Sequence, residues 1–165
     1  MFFSERLKFR PFEDQDLDFL KKLYQNDNVM RLIGGKRDIA QTEMTLQKFK
    51  KHFQDHGYGM FLVERKEDQV KVGYCGCRIY SPEIPAEMGY IIDEPFWGKA
   101  YATEAATAVS NDMKKFTQIK ELVALINTEN YASQKVIVKC DYARNPLRDG
   151  TYHTFFRLFF SKKNI

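Results

Sequence analysis

The sequence predicts an α+β fold, a mixed central sheet flanked by helices, and three observations carry that prediction. Amphipathic helical patterns interleave with short apolar strand patterns along the whole chain. An Ala-rich helical stretch joins two apolar strands, the arrangement that makes a right-handed crossover between parallel strands. No repeat, low-complexity tract or Pro/Gly-rich linker divides the 165 residues, so residues 1–165 are read as one domain.

Leu7–Phe9 is a short strand. Asp14–Tyr24 is a helix, with Leu17, Leu20, Leu23 and Tyr24 at helical spacing behind acidic residues that favour its N-terminus. Asn26-Asp27-Asn28 breaks it. A second amphipathic helix runs from about Gln41 to Gln54, carries Leu46, Phe49 and Phe53 on one face, and stops before Gly57. Strands Met60–Glu64 and Val70–Tyr80 follow, joined by the polar turn Lys66-Glu67-Asp68-Gln69, and the loop from Pro82 to Pro85 leads to strand Glu87–Asp93. The Ala-rich helix spans about Ala100–Phe116, with Ala102, Ala105, Val109, Met113 and Phe116 along one stripe. Strand Leu122–Ile126, helix Tyr131–Lys139 and the aromatic, β-branched strand Thr151–Phe160 complete the order.

Composition narrows the class. The chain is 44% hydrophobic and 15% aromatic, enough for a substantial core, and its net charge of +4 comes from scattered pairs such as Lys50-Lys51, Lys114-Lys115 and Lys162-Lys163. Such an excess suits an anionic small ligand, whereas nucleic-acid binding shows a denser basic stripe. The three cysteines include Cys75-Gly76-Cys77, whose spacing is too tight for zinc or redox motifs. On a strand both face one side, as small reduced core residues do. His52, His56 and His153 are too dispersed for a metal site, and His153 reads as a packed or pocket-lining residue. Charge follows too soon after Met1-Phe2-Phe3 for a secretory leader, and no apolar run approaches the roughly 20 residues of a membrane span. A soluble, cytoplasmic protein is expected.

The most informative stretch is Trp97-Gly98-Lys99-Ala100-Tyr101-Ala102-Thr103-Glu104-Ala105, a Gly-containing turn running from an apolar strand into a helix. The first N–H groups of a helix have no internal partner and carry the positive end of its dipole, so the junction can hold a phosphate, with Lys99 adding a full charge. A plain strand-to-helix connection is the competing reading. Downstream, strand Leu122–Ile126 runs into Asn127-Thr128-Glu129-Asn130-Tyr131-Ala132-Ser133, so two strand ends and a helix start converge on one edge.

Together, Glu87-Met88-Gly89-Tyr90, the Phe96–Ala105 stretch, Asn130-x-x-Ser133 and the opening Ser4–Pro11 resemble the GNAT superfamily of acyl-CoA-dependent N-acetyltransferases, in its ribosomal-protein N-terminal acetyltransferase-like branch. The resemblance covers nearly the whole chain. It implies a cleft between two splayed parallel strands, matching Glu87–Asp93 and Leu122–Ile126, with pantetheine pairing to backbone at Tyr90, Ile91 and Ile92 and the N–H of Ile91 as oxyanion donor. It also implies pyrophosphate binding by Trp97, Gly98, Lys99, Ala100, Tyr101, Ala102 and Thr103. Two positions depart from the family's Gln/Arg-x-x-Gly-x-Gly/Ala signature. Trp97 replaces Gln/Arg, and Ala100 replaces a Gly, which is sterically acceptable if the backbone there keeps a negative φ.

By the same resemblance Glu87 takes the amine proton directly or through water, Asn130 bonds pantetheine, and Ser133 protonates the leaving thiolate. Many relatives place a Tyr acid seven residues after the Asn, where this chain has Ile137, and Lys139-Cys140-Asp141-Tyr142 departs from the usual K-x-G-F. Plain alternatives stay open: Glu87 as a solvated strand-start residue, Asn130 or Ser133 as a helix cap. The implied activity is direct acetyl transfer from acetyl-CoA, without metal, to a protein N-terminus or small amine, by a monomer or homodimer. Residues Arg31–Gly59 and Ser81–Ala86 are expected to shape acceptor choice. A non-catalytic acyl-CoA-binding or regulatory module is the alternative, and a nucleic-acid-binding domain a weaker third.

Overall fold

The structure, a computed structural model, describes residues 1–81, 86–116 and 118–160. The loop from Pro82 to Pro85 and the pair Lys162-Lys163 lie outside them. In chain order the elements are β1 (Phe2–Phe3), β2 (Leu7–Pro11), α1 (Leu17–Gln25), α2 (Asp27–Met30), α3 (Ile39–His56), β3 (Met60–Arg65), β4 (Lys71–Arg78), β5 (Glu87–Ile92), α4 (Tyr101–Met113), β6 (Glu121–Asn127), α5 (Tyr131–Lys139), β7 (Ala143–Arg144) and β8 (His153–Phe159). One eight-stranded sheet has the order β1-β2-β3-β4-β5-β6-β8-β7. Among the described residues only β5 and β6 pair in parallel, joined by the α4 crossover; the other neighbours are antiparallel.

Helices cover both faces of this sheet. On one, α1 and α3 bury Leu20, Leu23, Tyr24 and Leu46 against Met60, Leu62, Tyr74 and Ile91. On the other, Ala105, Ala106, Val109 and Met113 of α4 and Ile137 of α5 pack on Val63, Val72, Cys75, Cys77, Met88 and Ile92. Strand alternation sorts neighbours between these layers, so Ile91 faces α1 and α3 while Tyr90 packs on the α4 layer. Small residues on α4 let it lie close to the strands.

Several boundaries differ from those read in the sequence. The first predicted helix divides into a 3-10 turn at Asp14–Asp16 and α1, because the Asp16 carboxylate is drawn inward instead of staying on a solvated helix face. Fully buried, it accepts from Arg10 Nη1 and Nη2 at 2.7 and 2.8 Å, from Lys71 Nζ at 2.8 Å and from the Glu13 N–H at 2.8 Å. Asn26 ends α1 and starts another helix, its side chain capping the N–H groups of Asn28 and Val29. Asp38 and Gln41 form a capping box that starts α3 earlier than the apolar pattern suggested.

Cys75, Cys77 and Cys140 are free and buried, and burial pushes their thiols up in pKa. The residue between the first two has a steric reason to be Gly. A Cβ on Gly76 would lie 2.0 Å from the Gly59 carbonyl oxygen, so β3 and β4 approach closely only with hydrogen at that position.

Candidate active site

The cleft begins where β5 and β6 part. Their registered pair is Glu87 with Val123, and the Val123 N–H donates to the Ala86 carbonyl at 3.0 Å. Beyond that point β5 keeps its antiparallel partner β4 through Ile92, while β6 stays paired with β8 along its whole length. Backbone groups on the facing edges are left for another extended chain to pair with.

Ladder parity decides which groups those are. The Asp93 N–H donates to the Val72 carbonyl on β4 at 2.8 Å, whereas the Ala86 carbonyl bonds β6 and the Ile92 carbonyl accepts from Trp97 Nε1 at 2.7 Å. Even-numbered residues of β5 therefore turn to the cleft, and odd-numbered ones turn to β4. The N–H of Ile91 points at its registered partner Tyr74 and is not the free oxyanion donor expected from the sequence. Tyr90 presents the cleft-facing N–H instead. At Ile92 the indole of Trp97 already occupies the carbonyl.

Side chains alternate in the perpendicular direction, and this divides the candidate chemistry. Glu87 lies on the α1–α3 face, opposite Arg78 in the β4 register, with Arg78 Nε donating to Glu87 Oε2 at 2.8 Å. Its side chain is only 9% exposed, so Glu87 is not a solvated strand-start residue. Tyr90, three residues on, projects to the α4–α5 face. There its hydroxyl lies 2.7 Å from Ser133 Oγ and donates to the Ser133 carbonyl at 2.9 Å, or to Oγ in its other rotamer. Burial raises the Tyr90 pKa well above the ordinary phenol range, so the hydroxyl keeps its proton at neutral pH. Asn130 caps α5, its side-chain oxygen accepting from the Ser133 N–H at 3.1 Å. Ile137 is fully buried and cannot offer an acid.

A cleft of about 1060 Å³ is lined by Glu87, Tyr90, Asn130 and Ser133 together with residues 124–127 of β6 and side chains from α3. His52 and His153 line it too. The first is committed elsewhere: its Nδ1 donates to the Tyr58 carbonyl at 2.9 Å and its Nε2 accepts from the Ile79 N–H at 3.1 Å. Both nitrogens are used in one neutral tautomer, and burial lowers its pKa further, so His52 splints α3 to the end of β4. Among the described residues no group of three or more His, Cys, Asp or Glu could hold a metal.

Residues Trp97–Thr103 sit outside the cleft lining, beyond the C-terminal end of β5. No side chain caps α4, and its first internal bond is Glu104 N–H to the Ala100 carbonyl at 3.0 Å. The N–H groups of Tyr101, Ala102 and Thr103 therefore precede the helical ladder, as an anion site requires. Glu104 points away, accepting from Ser4 Oγ and from the Arg6 N–H and Nε, each at 2.7 Å. Gly98 and Ala100 both have positive φ, 73° and 61°. The negative φ that would have made Ala100 easy is not what the turn adopts.

The chain matches the Acetyltransferase (GNAT) domain family over residues 6–143, and it therefore belongs to that family of acetyltransferases. A relative from Bacillus subtilis (strain 168), the uncharacterized protein YkkB, is 30% identical over 139 residues, covering 82% of this chain and 81% of that one. Among solved structures, an acetyltransferase from Agrobacterium tumefaciens str. C58 superposes with a TM-score of 0.86 at 22% identity, covering 96% of this chain and 94% of its own. Spermidine N-acetyltransferase from Vibrio cholerae, in complex with CoA and spermine, superposes with a TM-score of 0.74 at 19% identity, covering 95% and 96%.

The Tyr90 hydroxyl and the guanidinium beside Glu87 were not among the side chains read as functional. Alternation carried a signal for the first, because two strand residues three apart must face opposite sides, which separates Glu87 from Tyr90. Nothing local announces that α5 brings Ser133 to that hydroxyl.

Proposed function

We propose that this protein is an acetyl-CoA-dependent N-acetyltransferase that passes the acetyl group directly to a primary amine within a ternary complex. One observation carries the reading: a carboxylate and a hydroxyl pair flank the same strand edge from opposite faces, at the point where β5 and β6 part. With the thioester between the strands, an amine arriving from the α1–α3 side meets Glu87, and the sulfur lies on the side of Ser133 and Tyr90.

In this mechanism the amine nitrogen attacks the thioester carbonyl, and the cleft-facing N–H of Tyr90 stabilises the oxyanion. Glu87 accepts the proton that the nitrogen sheds as the C–N bond forms. As the C–S bond breaks, Ser133 Oγ donates its proton to the thiolate and takes the proton of the Tyr90 hydroxyl, which solvent replenishes. The products are an amide and free CoA. Tyr101, Ala102 and Thr103 N–H groups, with Lys99, hold the pyrophosphate, and Asn130 fixes the α5 start beside pantetheine.

The opening strand, the E-x-G-Y segment and the turn sequence favour the ribosomal-protein N-terminal acetyltransferase-like branch, hence N-acetylation of a protein terminus or small amine. Three free buried thiols fit a reducing compartment such as the cytoplasm. Ala100 in a left-handed conformation is the observation that favours the other reading, a non-catalytic acyl-CoA-binding module. A thiol-release assay with acetyl-CoA and a panel of peptides, polyamines and amino acids separates the two. Acceptor-dependent release supports the enzyme; acetyl-CoA binding without release from any acceptor supports the module.

A further inference from the structure

Charge on the acceptor wall is unevenly satisfied. Among the described residues that line the cleft, the acids are Asp55 and Glu87, and each is already paired, with Lys51 at 3.0 Å and Arg78 at 2.8 Å. Arg37 and Lys48 line the same cleft and have no acidic partner among the described residues; the side-chain contacts of Arg37 are to Thr45 and the Tyr24 ring. They lie before and along α3, on the sheet face opposite the one that α4 covers, so a pyrophosphate held at the start of α4 is not their counter-ion.

Arg37 is held in place before any ligand arrives. Its guanidinium stacks 4.3 Å from the centroid of the Tyr24 ring, and Nη1 donates to Thr45 Oγ1 at 3.1 Å. Its backbone is tied by N–H to the Tyr24 carbonyl at 3.3 Å and by the Gln25 amide to its own carbonyl at 2.7 Å. None of its five donors is taken by a carboxylate among the described residues. Tyr24 and Tyr74 share a hydrogen bond of 3.1 Å behind it, and the positive charges of Arg37 and Arg78 partly offset the rise that burial imposes on both phenols. A planar cation fixed in this way, with no internal carboxylate, is the arrangement that recognises a carboxylate through paired N–H donors. A polycationic amine would instead meet two neutralised acids and uncompensated like charge.

Resting on the acetyltransferase reading, we infer that the acceptor is a primary amine that also carries a carboxylate, held by Arg37 with support from Lys48. A free amino acid and an acidic peptide N-terminus both have this chemistry. The test measures thiol release at saturating acetyl-CoA for pairs matched in amine basicity. The pairs are ω-aminopentanoate against its carboxamide and Ser-Asp-Ala against Ser-Asn-Ala peptide amides, with spermidine alongside.

The inference expects the carboxylate member to be favoured about tenfold in kcat/KM, the size of one charge-assisted hydrogen-bonded contact. Added salt should erode that preference. The first pair favours a small acceptor and the second a peptide terminus. Arg37→Gln should remove the preference through KM while leaving the dissociation constant of acetyl-CoA unchanged, and Lys48→Gln should weaken it partially. Brisk release from spermidine or the carboxamides over their carboxylate partners overturns the acceptor class and leaves acetyl transfer standing. Absence of release from every acceptor, with no charge-dependent acceptor binding by calorimetry on CoA-saturated protein, overturns both.

Discussion

At Ala100 the turn before α4 places a residue with a Cβ in the left-handed region, φ 61° and ψ 12°, two residues after Gly98 at φ 73°. An L-residue pays roughly 1–2 kcal/mol to stand there, a cost glycine avoids. Ala100→Gly is therefore expected to raise stability by about 1 kcal/mol in urea denaturation, despite the extra chain entropy glycine brings to the unfolded state. A β-branched Val at the same position should lower it and weaken acetyl-CoA. The Ser133–Tyr90 pair makes a second residue-scale prediction. Ser133→Ala should cut kcat while changing the acetyl-CoA dissociation constant little, since a proton donated to the leaving thiolate matters in the transition state. Tyr90→Phe should cost less alone and almost nothing on top of Ser133→Ala, because the two hydroxyls act in series. Full additivity in that double-mutant cycle would separate their roles.

Elements are positioned by a buried charge network as much as by apolar packing. Arg10 of β2, the 3-10 turn at Asp16, Glu64 of β3 and Lys71 of β4 are joined through Arg10–Asp16, Arg10–Glu64 and Lys71–Asp16 contacts of 2.7, 2.9 and 2.8 Å. Burial acts to raise the Asp16 pKa, but the bonds from Arg10, Lys71 and the Glu13 backbone outweigh it and hold the carboxyl at about 2. With the unfolded value near 3.9, the stability this group contributes is fully present above about pH 4 and is lost as pH falls through 2. Its size is on the order of 2 kcal/mol. Asp16→Asn should thus flatten the acid limb of a stability-versus-pH curve and lower stability at pH 7 by about 3 kcal/mol, because Arg10 and Lys71 lose their shared partner. Gly76→Ala should be severely destabilising, as its Cβ would collide with the Gly59 carbonyl. Element order was legible because periodicity and turn residues are local signals: helix Tyr131–Lys139 matches α5 at both ends. β1 and β7 were not read, since two-residue strands carry no period and exist only through their partners β2 and β8. The inward turn of Asp16 was likewise invisible, being decided by Arg10 and Lys71 from other strands. At the candidate site the motif pointed to Glu87 and Ser133, both of which line the cleft, whereas the direction of each β5 amide needed the ladder.

For the whole molecule, the α4 crossover leaves β5 and β6 joined at one end and open at the other, with helices on both faces to shape the opening. No helix among the described residues is long and apolar enough to cross a membrane. The proposed activity requires that opening to accept acetyl-CoA, with its phosphates at the uncapped start of α4 and its thioester between Glu87 and Ser133. A ligand that binds only the folded state stabilises it by mass action, by about 2.7 kcal/mol at a hundredfold excess over its dissociation constant. The direct measurement is urea denaturation of the wild-type protein with increasing acetyl-CoA, using ATP and NAD as controls. The midpoint is expected to climb with the logarithm of acetyl-CoA concentration and to move far less with the controls. A midpoint unchanged at millimolar acetyl-CoA, or moved equally by ATP, would contradict the proposed activity.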